Sequence, residues 1–427
     1  MKRLAAISLT CMAFISPAYS AAQQPQETPA PNSAARISVN VNAVLVPVVV
    51  RDAQGRAVGD LKKEDFQVFD KNKPRIISGF SIQQRAALPA NPAPAPAAPV
   101  APAVSQQPSR VPERFIVFLF DDLHLSPGDL LRLQAVASAM LSASLADSDM
   151  AAVVSISGTN SGLTRDRAKL QEAIRNVKTQ DLYRHAGREC PDVDYYQADL
   201  IENKHNAQAF EAAVQDAFTC GHPDIRSVAE NLVRSATRRA LELGDQDVRV
   251  TLGFVREMVR RMGALPGQHI LILISPGFLT MVPEAMYAKS SILNLAAQSN
   301  LTISALDARG LYTTEPDAGS QGPRSALGLQ TGSDSQFHRD SMSLNENVMA
   351  EFADGTGGTF FHNSNDLAGG FQSLASAPEY VYLLELSLEN VKPDGSYHSL
   401  KVKLDRDDLK LQARRGYFAP ASAKSKK

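Results

Sequence analysis

The apolar positions change rhythm twice along the chain. Near the start, Val39, Val41, Val44, Val46, Val48 and Val50 give β-branched, partly alternating runs, the pattern of half-buried strands. Residues 65–70 and then Ile76, Ile77, Phe80 and Ile82 continue this pattern, with turns at 52–55 and 71–74. Pro47 cannot donate to a sheet ladder, so its strand is expected at an edge or a bulge. From Phe115 the runs become unbroken. Residues 115–120, 150–156, 270–274 and 301–306 read as strands buried on both faces. Helical spacing fills the intervals at 127–145, 166–177, 229–243, 252–262, 283–298, 343–354 and 366–375, and 359–361 is strand-like. Ser126 is placed to cap the first helix, with Pro127 at its first position. After Tyr380 the period returns to two, through 380–386, 399–404 and 409–413 to Tyr417, and Asp394-Gly395 is a hairpin signal.

Strands alternating with helices imply parallel βαβ units. The expected fold is α/β: a doubly wound, mostly parallel sheet, flanked by a small β-sandwich-like module made from N- and C-terminal strands. The corresponding division is a signal peptide at 1–20, a disordered leader at 21–35 and an N-terminal β segment at 36–85. An Ala/Pro-rich linker at 86–112 leads to the α/β domain at 113–378, with insertions at 180–250 and 309–342. The 309–342 stretch, rich in Gly, Ser and Asp, reads as a flexible surface loop. A C-terminal β segment at 379–420 and a basic tail at 421–427 complete the chain.

Composition narrows the function classes. With 427 residues, 44% of them hydrophobic, the chain can bury a sizeable core. A formal net charge of −1 removes the electrostatic case for nucleic-acid binding. Lys2 and Arg3, the apolar run 4–15 and the small residues of Ala18-Tyr19-Ser20 form a secretory signal with cleavage after Ser20. No later run reaches the length of a membrane span. The expected location is therefore extracytoplasmic, periplasmic or secreted. Past the signal, only Cys190 and Cys220 remain of the three cysteines. In an exported chain they suggest a disulfide, the alternative being two buried thiols.

In open parallel sheets, ligands sit beyond the carboxyl ends of the strands. That rule selects Asp121, Ser155, Ser275 and Asp307, and with them the turn Asp121-Asp122-Leu123-His124. A buried strand ending in this turn, followed by Ser155, the helix start at 163–167, Ser275-Pro276-Gly277 and the return at Gly357-Gly358-Thr359, resembles a von Willebrand factor A domain. With Ser275-Pro276-Gly277-Phe278 and the strand end 305–310, the likeness extends over the mature chain to the VWFA-related proteins of Acidobacteria-type bacteria. The resemblance implies protein–protein interaction through a metal-ion-dependent adhesion site, where Asp-x-Ser-x-Ser, a Thr and a further Asp hold Mg²⁺ or Mn²⁺. Here Leu123 and Leu125 replace the serines, Pro276 stands where the further Asp belongs, and Thr164 falls at the wrong point for the Thr.

Three readings of the turn stay open. Asp121 and Asp122 cap a helix or satisfy loop amides, with His124 packed beside them. Alternatively, Asp121, Asp122, His124 and Ser126, aided by Asp307, form an altered divalent-cation site that relieves two adjacent carboxylates. In the third reading the cluster is catalytic. Known enzyme patterns do not fit: Leu123 occupies the second Asp of a haloacid-dehalogenase-type Asp-x-Asp, and there is no Gly-x-Ser-x-Gly, no phosphate-binding Gly-x4-Gly-Lys and no His-Glu-x-x-His. The expectation is an exported, non-enzymatic binding or scaffolding protein with a degenerate adhesion site, acting on a protein or cell-surface partner. The alternative is a metal-dependent hydrolase using Asp121, Asp122 and His124.

Overall fold

The computed structural model describes residues 43–53, 56–84, 114–180, 190–311, 333–376, 378, 380–389, 391–392 and 397–419. The expected signal peptide, leader, linker and basic tail lie outside the described residues. Among the described residues, no helix is long and apolar enough to cross a membrane.

The central strand is β5 (Arg114–Phe120), following β1 (Ala43–Arg51), β2 (Phe66–Asp70), β3 (Lys73–Arg75) and β4 (Ile77–Gln84). All seven residues of β5 are buried, because its two faces are both covered. It pairs in parallel with β6 (Met150–Ser155) on one side and β7 (Gln268–Ser275) on the other. The sheet continues through β8 (Leu301–Asp307) to the short β9 (Phe360–Phe361), in the order β6-β5-β7-β8-β9. Residues 160–164 return antiparallel along β6 through isolated bridges at Asn160 and Thr164. This five-stranded parallel sheet with helices is consistent with a Rossmann-like or a von Willebrand factor A-like core.

Alternation along β5 divides the core in two. Ile116, Phe118 and Phe120 face α1 (Pro127–Ser144), α2 (Arg167–Asn176) and α8 (Leu367–Ala375). Leu130, Leu133, Ala137 and Leu141 of α1 sit at helical spacing on that side, and the Phe118 and Phe371 rings stack at 5.0 Å. Val117 and Leu119 face α5 (Arg226–Met262), α6 (Pro283–Gln298) and α7 (Ser333–Thr356). Each fully buried Leu or Phe contributes roughly 1.5–3 kcal/mol. Arg114 anchors the start of β5: its guanidinium is paired with buried Asp149 and also donates to the carbonyl of Ala375.

The insertion between α2 and β7 is helical. It holds α3 (Tyr195–Glu202), α4 (Ala207–Gly221) and the first half of α5, packed around Ala213, Val214, Val233 and Ala236. The structure joins Cys190 and Cys220 as a disulfide across this unit. The helical pieces expected at 229–243 and 252–262 are one 37-residue helix. Gly244 does not break it, since the Tyr195 ring lies against that glycine and its hydroxyl donates to Asp245 at 2.5 Å. The loop expected at 309–342 is shorter at its end, because α7 begins at Ser333.

The terminal strands form two antiparallel sheets over one core. β10 (Tyr380–Ser387), β11 (Tyr397–Leu404), β12 (Lys410–Ala413) and β13 (Gly416–Phe418) complete them in the orders β12-β1-β10-β4 and β13-β11-β2-β3. Val46, Val48, Val50, Val68, Tyr382, Leu384 and Leu400 fill the space between. β1 is interior, contrary to the edge expected from Pro47. β12 pairs only with residues from Val48 onward, so Pro47 lies just outside the doubly paired stretch and its missing N–H costs no ladder bond there. Asp394 and Gly395 lie outside the described residues, and the strands flanking them, β10 and β11, belong to different sheets.

One carboxylate binds the second sheet together. Buried Asp70 of β2 accepts from His398 Nδ1 of β11 at 2.8 Å, from the Tyr417 hydroxyl of β13 at 2.8 Å and from Arg75 of β3 at 3.1 Å. Burial pushes its pKa up, but the hydrogen bonds from Tyr417, His398 and Arg75 outweigh that and hold it below the ordinary carboxylate value. A lowered folded-state pKa stabilises the protein above the unfolded-state value, and the contribution disappears as pH falls through the folded-state value. The stability gap between the native chain and Asp70→Asn, measured by urea unfolding, is expected to be constant near neutrality and to close below about pH 4. An equal gap at pH 7 and pH 3 rules the network out as a pH-linked tie. For the disulfide, which spans a sequence separation of 30, reduction is expected to lower stability by about 3–4 kcal/mol, with the double variant Cys190→Ala, Cys220→Ala matching the reduced protein.

Candidate functional site

β5 and β7 meet where the strand order changes direction, which is the switch point at which ligands bind in open α/β sheets. The ladder runs one residue past β5, since Asp121 N donates to the Ile274 carbonyl at 2.9 Å. The chain then turns, with the amides of His124 and Leu125 donating to the Asp121 carbonyl. Asp121 and Asp122 are both fully buried.

The two carboxylates reach in different directions. Asp121 turns to β7: the Ser275 hydroxyl donates to its Oδ2 at 2.7 Å. His124 Nδ1 lies 2.9 Å from both of its oxygens and, facing an acceptor, serves as the donor. The imidazole stacks on Phe278 at 5.4 Å between centroids. Asp122 turns to the loop after β6, where Ser157 N donates to Oδ1 at 3.1 Å and the Ser157 hydroxyl bonds to Oδ2. Its own carbonyl accepts from Gln180 N at 2.9 Å. Adjacent carboxylates, which would repel if left bare, are thus supplied with separate donors, one from β7 and one from the loop after β6.

The remaining sequence candidates divide among other tasks. Ser126 caps α1, accepting from Asp129 N at 3.1 Å and donating to the Asp129 carboxylate at 2.8 Å. Ser155 is buried and accepts from Thr159 N at 3.1 Å, which closes the loop after β6. Asp307 forms a two-pronged pair with Arg309 at 2.9 and 2.7 Å, and Arg309 also bonds to Glu346 at 3.0 Å. The structure therefore brings Asp121, His124 and Ser275 together and places Ser126 and Asp307 in different interactions. Cys190 and Cys220 are joined in the insertion.

In this structure these donors are engaged with neighbouring side chains. Both Asp121 oxygens receive hydrogens, Asp122 is engaged by Ser157, and the Arg309 cation already occupies Asp307. Among the described residues, no group of three or more His, Cys, Asp or Glu side chains could hold a metal ion. Nor does the connectivity suit nucleophilic catalysis. There the histidine stands between serine and aspartate, taking the hydroxyl proton. Here the aspartate stands between, and fully buried Ser275 gives its hydrogen directly to the carboxylate while accepting from Gly277 N at 2.9 Å.

Sequence reasoning gave no site role to four contributors: Ser157, which it did not single out, and Gly277, Phe278 and Arg309, which it quoted only as part of the resemblance. Gly277 takes φ +88°, and a Cβ there would lie 2.2 Å from the Asn345 carbonyl oxygen. The Pro276-Gly277 pair was the available signal, because Pro followed by Gly suits a turn with positive φ at the second position.

Asp121→Ala leaves the His124 and Ser275 donors without an acceptor in a buried place. It is expected to destabilise the fold by about 2–4 kcal/mol in urea unfolding, and Ser275→Ala by about 1 kcal/mol. A gain in stability on removing Asp121 is the signature of mutually repelling carboxylates and excludes the brace described above. No family model and no curated protein matches the chain. Among solved structures, the chain is similar to one described as the crystal structure of the TFIIH p34 N-terminal domain, at 11% identity and a TM-score of 0.21, covering 62% of this chain and 97% of that one.

Proposed function

We propose that the chain is an exported, non-enzymatic binding or scaffolding protein with a von Willebrand factor A-like domain, which engages a protein or cell-surface partner through the strand-end face. The observation that carries this reading is the pairing of polar groups beneath that face with exposure of apolar ones around it. Asp121, Asp122 and Ser275 are buried and bonded to neighbours, so they offer no free nucleophile. Around them, Leu131 near the start of α1 is 68% exposed, Tyr287 near the start of α6 is 79% exposed, and Leu311 beyond β8 is 57% exposed. Exposed aromatic and aliphatic side chains beside a rigid sheet end are the material of protein interfaces. The signal-like N-terminus and the Cys190–Cys220 pairing support the extracytoplasmic location.

The test is photo-crosslinking in intact cells, with a photoreactive residue placed singly at Leu131, Tyr287 or Leu311 and, as a control, at Lys401 of β11. A discrete adduct to one protein from the strand-end positions, and none from Lys401, is expected. No adduct from any strand-end position removes the proposal. In parallel, calorimetric titration of Mg²⁺, Mn²⁺ and Ca²⁺ is expected to give no saturable binding at millimolar concentration. Saturable binding abolished by Asp121→Ala, together with hydrolytic turnover that needs the metal, replaces this reading with the hydrolase.

A further inference from the structure

At the other end of the parallel sheet, where β7 and β8 begin, a cavity of about 420 Å³ lies between the sheet and the antiparallel strands. That is within the range of small-molecule sites, about 300–1,000 Å³, and a junction of packed units is a usual place for one. Its walls are mixed: Ile270, Leu301 and Ala297 from the parallel-sheet side and Val49 and Leu411 from the antiparallel side are apolar, beside polar residues such as Asn300 and Gln412.

The charges lining it are unbalanced. Arg51, Lys410 and Arg414 contribute three cationic side chains, and Asp52 is the one acid among the described lining residues. Arg414 is the most telling of the three. Its Nε donates to the Gly416 carbonyl at 2.7 Å and its Nη1 to Asn300 Oδ1 at 3.0 Å, both neutral acceptors. No carboxylate pairs with it among the described residues. Arg414 is half-buried, and that burial pulls its pKa below the ordinary guanidinium value. A guanidinium cannot shed its proton to escape that cost, as a buried lysine can. These two neutral acceptors take two of its N–H groups and leave its charge uncompensated by a carboxylate. The nearby imidazole of His269 is already committed, with its ring nitrogens against the Ser299 and Leu265 carbonyls.

We propose that this cavity binds a small amphipathic anion, its carboxylate or phosphate head on Arg414 and its apolar body against Ile270, Leu301 and Leu411. The apolar part of the walls gives an amphipathic ligand contacts that a bare inorganic ion lacks, and the positive lining disfavours a cationic ligand. The site is independent of the strand-end face and stands or falls separately from the function proposed above.

The test is calorimetry on the full chain with three probes sharing one tail: decanoate, decyl phosphate and decanol. Saturable one-site binding of decanoate or decyl phosphate is expected, with decanol at least tenfold weaker. Whichever anion binds more tightly identifies the head group. Arg414→Gln is expected to weaken the anion at least tenfold, while Arg260→Gln on the exposed side of α5 leaves it unchanged. Should Arg414→Gln fail to fold, Ala297→Leu, which narrows the cavity without touching the charge, is expected to weaken binding by a similar factor. The proposal is overturned if neither anion binds saturably, if decanol binds as tightly as the anions, or if the folded variants bind as the native chain does.

Discussion

Two successive carboxylates at the end of one buried strand hold the top of the parallel sheet in register. Asp121 ties β5 to β7 through Ser275, and Asp122 ties it to the loop after β6 through Ser157. The chain turns just past the strand end, so the two side chains of one dipeptide reach the elements on both sides. Without those donors, two carboxylates would be desolvated side by side at the centre of the molecule. The covered faces of β5, the turn into α1 and the position of Phe278 all assume that these bonds are made.

The C-terminal strands fix the α/β core to the antiparallel sheets by short polar ties. Gln412 Nε2 donates to the Gly357 carbonyl at 2.8 Å, and Arg415 pairs with Asp354 at 3.0 Å. Gly357, at φ +76°, lets the backbone pass so close to Arg414 that a Cβ would lie 2.8 Å from its Cα. Close backbone approach at one point and an open cavity beside it are two outcomes of the same junction. The chain is packed where glycine permits and left hollow where the apolar walls diverge.

Much of the fold was legible from residue pattern. The runs at 115–120, 150–156, 270–274 and 301–306 read as strands covered on both faces, and Ser126-Pro127 marked a helix start that the structure reproduces. What periodicity could not register were contacts between distant residues. The continuity of α5 through Gly244 depends on Tyr195, and the interior place of β1 depends on β12 beginning one residue after Pro47. The site was legible in position and not in connectivity. Strand-end logic found Asp121, Asp122, Ser275 and Asp307, but whether a carboxylate awaits a ligand or already has a partner turns on Ser157 and Arg309, which carry no motif.

The antiparallel sheets, built from both ends of the described chain, place a constraint on how the molecule comes to exist. Leu61 donates to the Tyr382 hydroxyl across 321 positions of sequence, and Val58 accepts from the same hydroxyl. β1 and β4 find their shared neighbour β10 only after the whole parallel core has been synthesised. Such non-local pairing is slow, because loop closure precedes the contacts that reward it. Until β10 arrives, the valine-rich β1 is paired locally only at its end, through Val50 and Arg51 with residues 57–58, and most of its length is an open edge, the kind of surface that recruits other chains. The antiparallel sheets can therefore be completed only once the last strands of the chain are present.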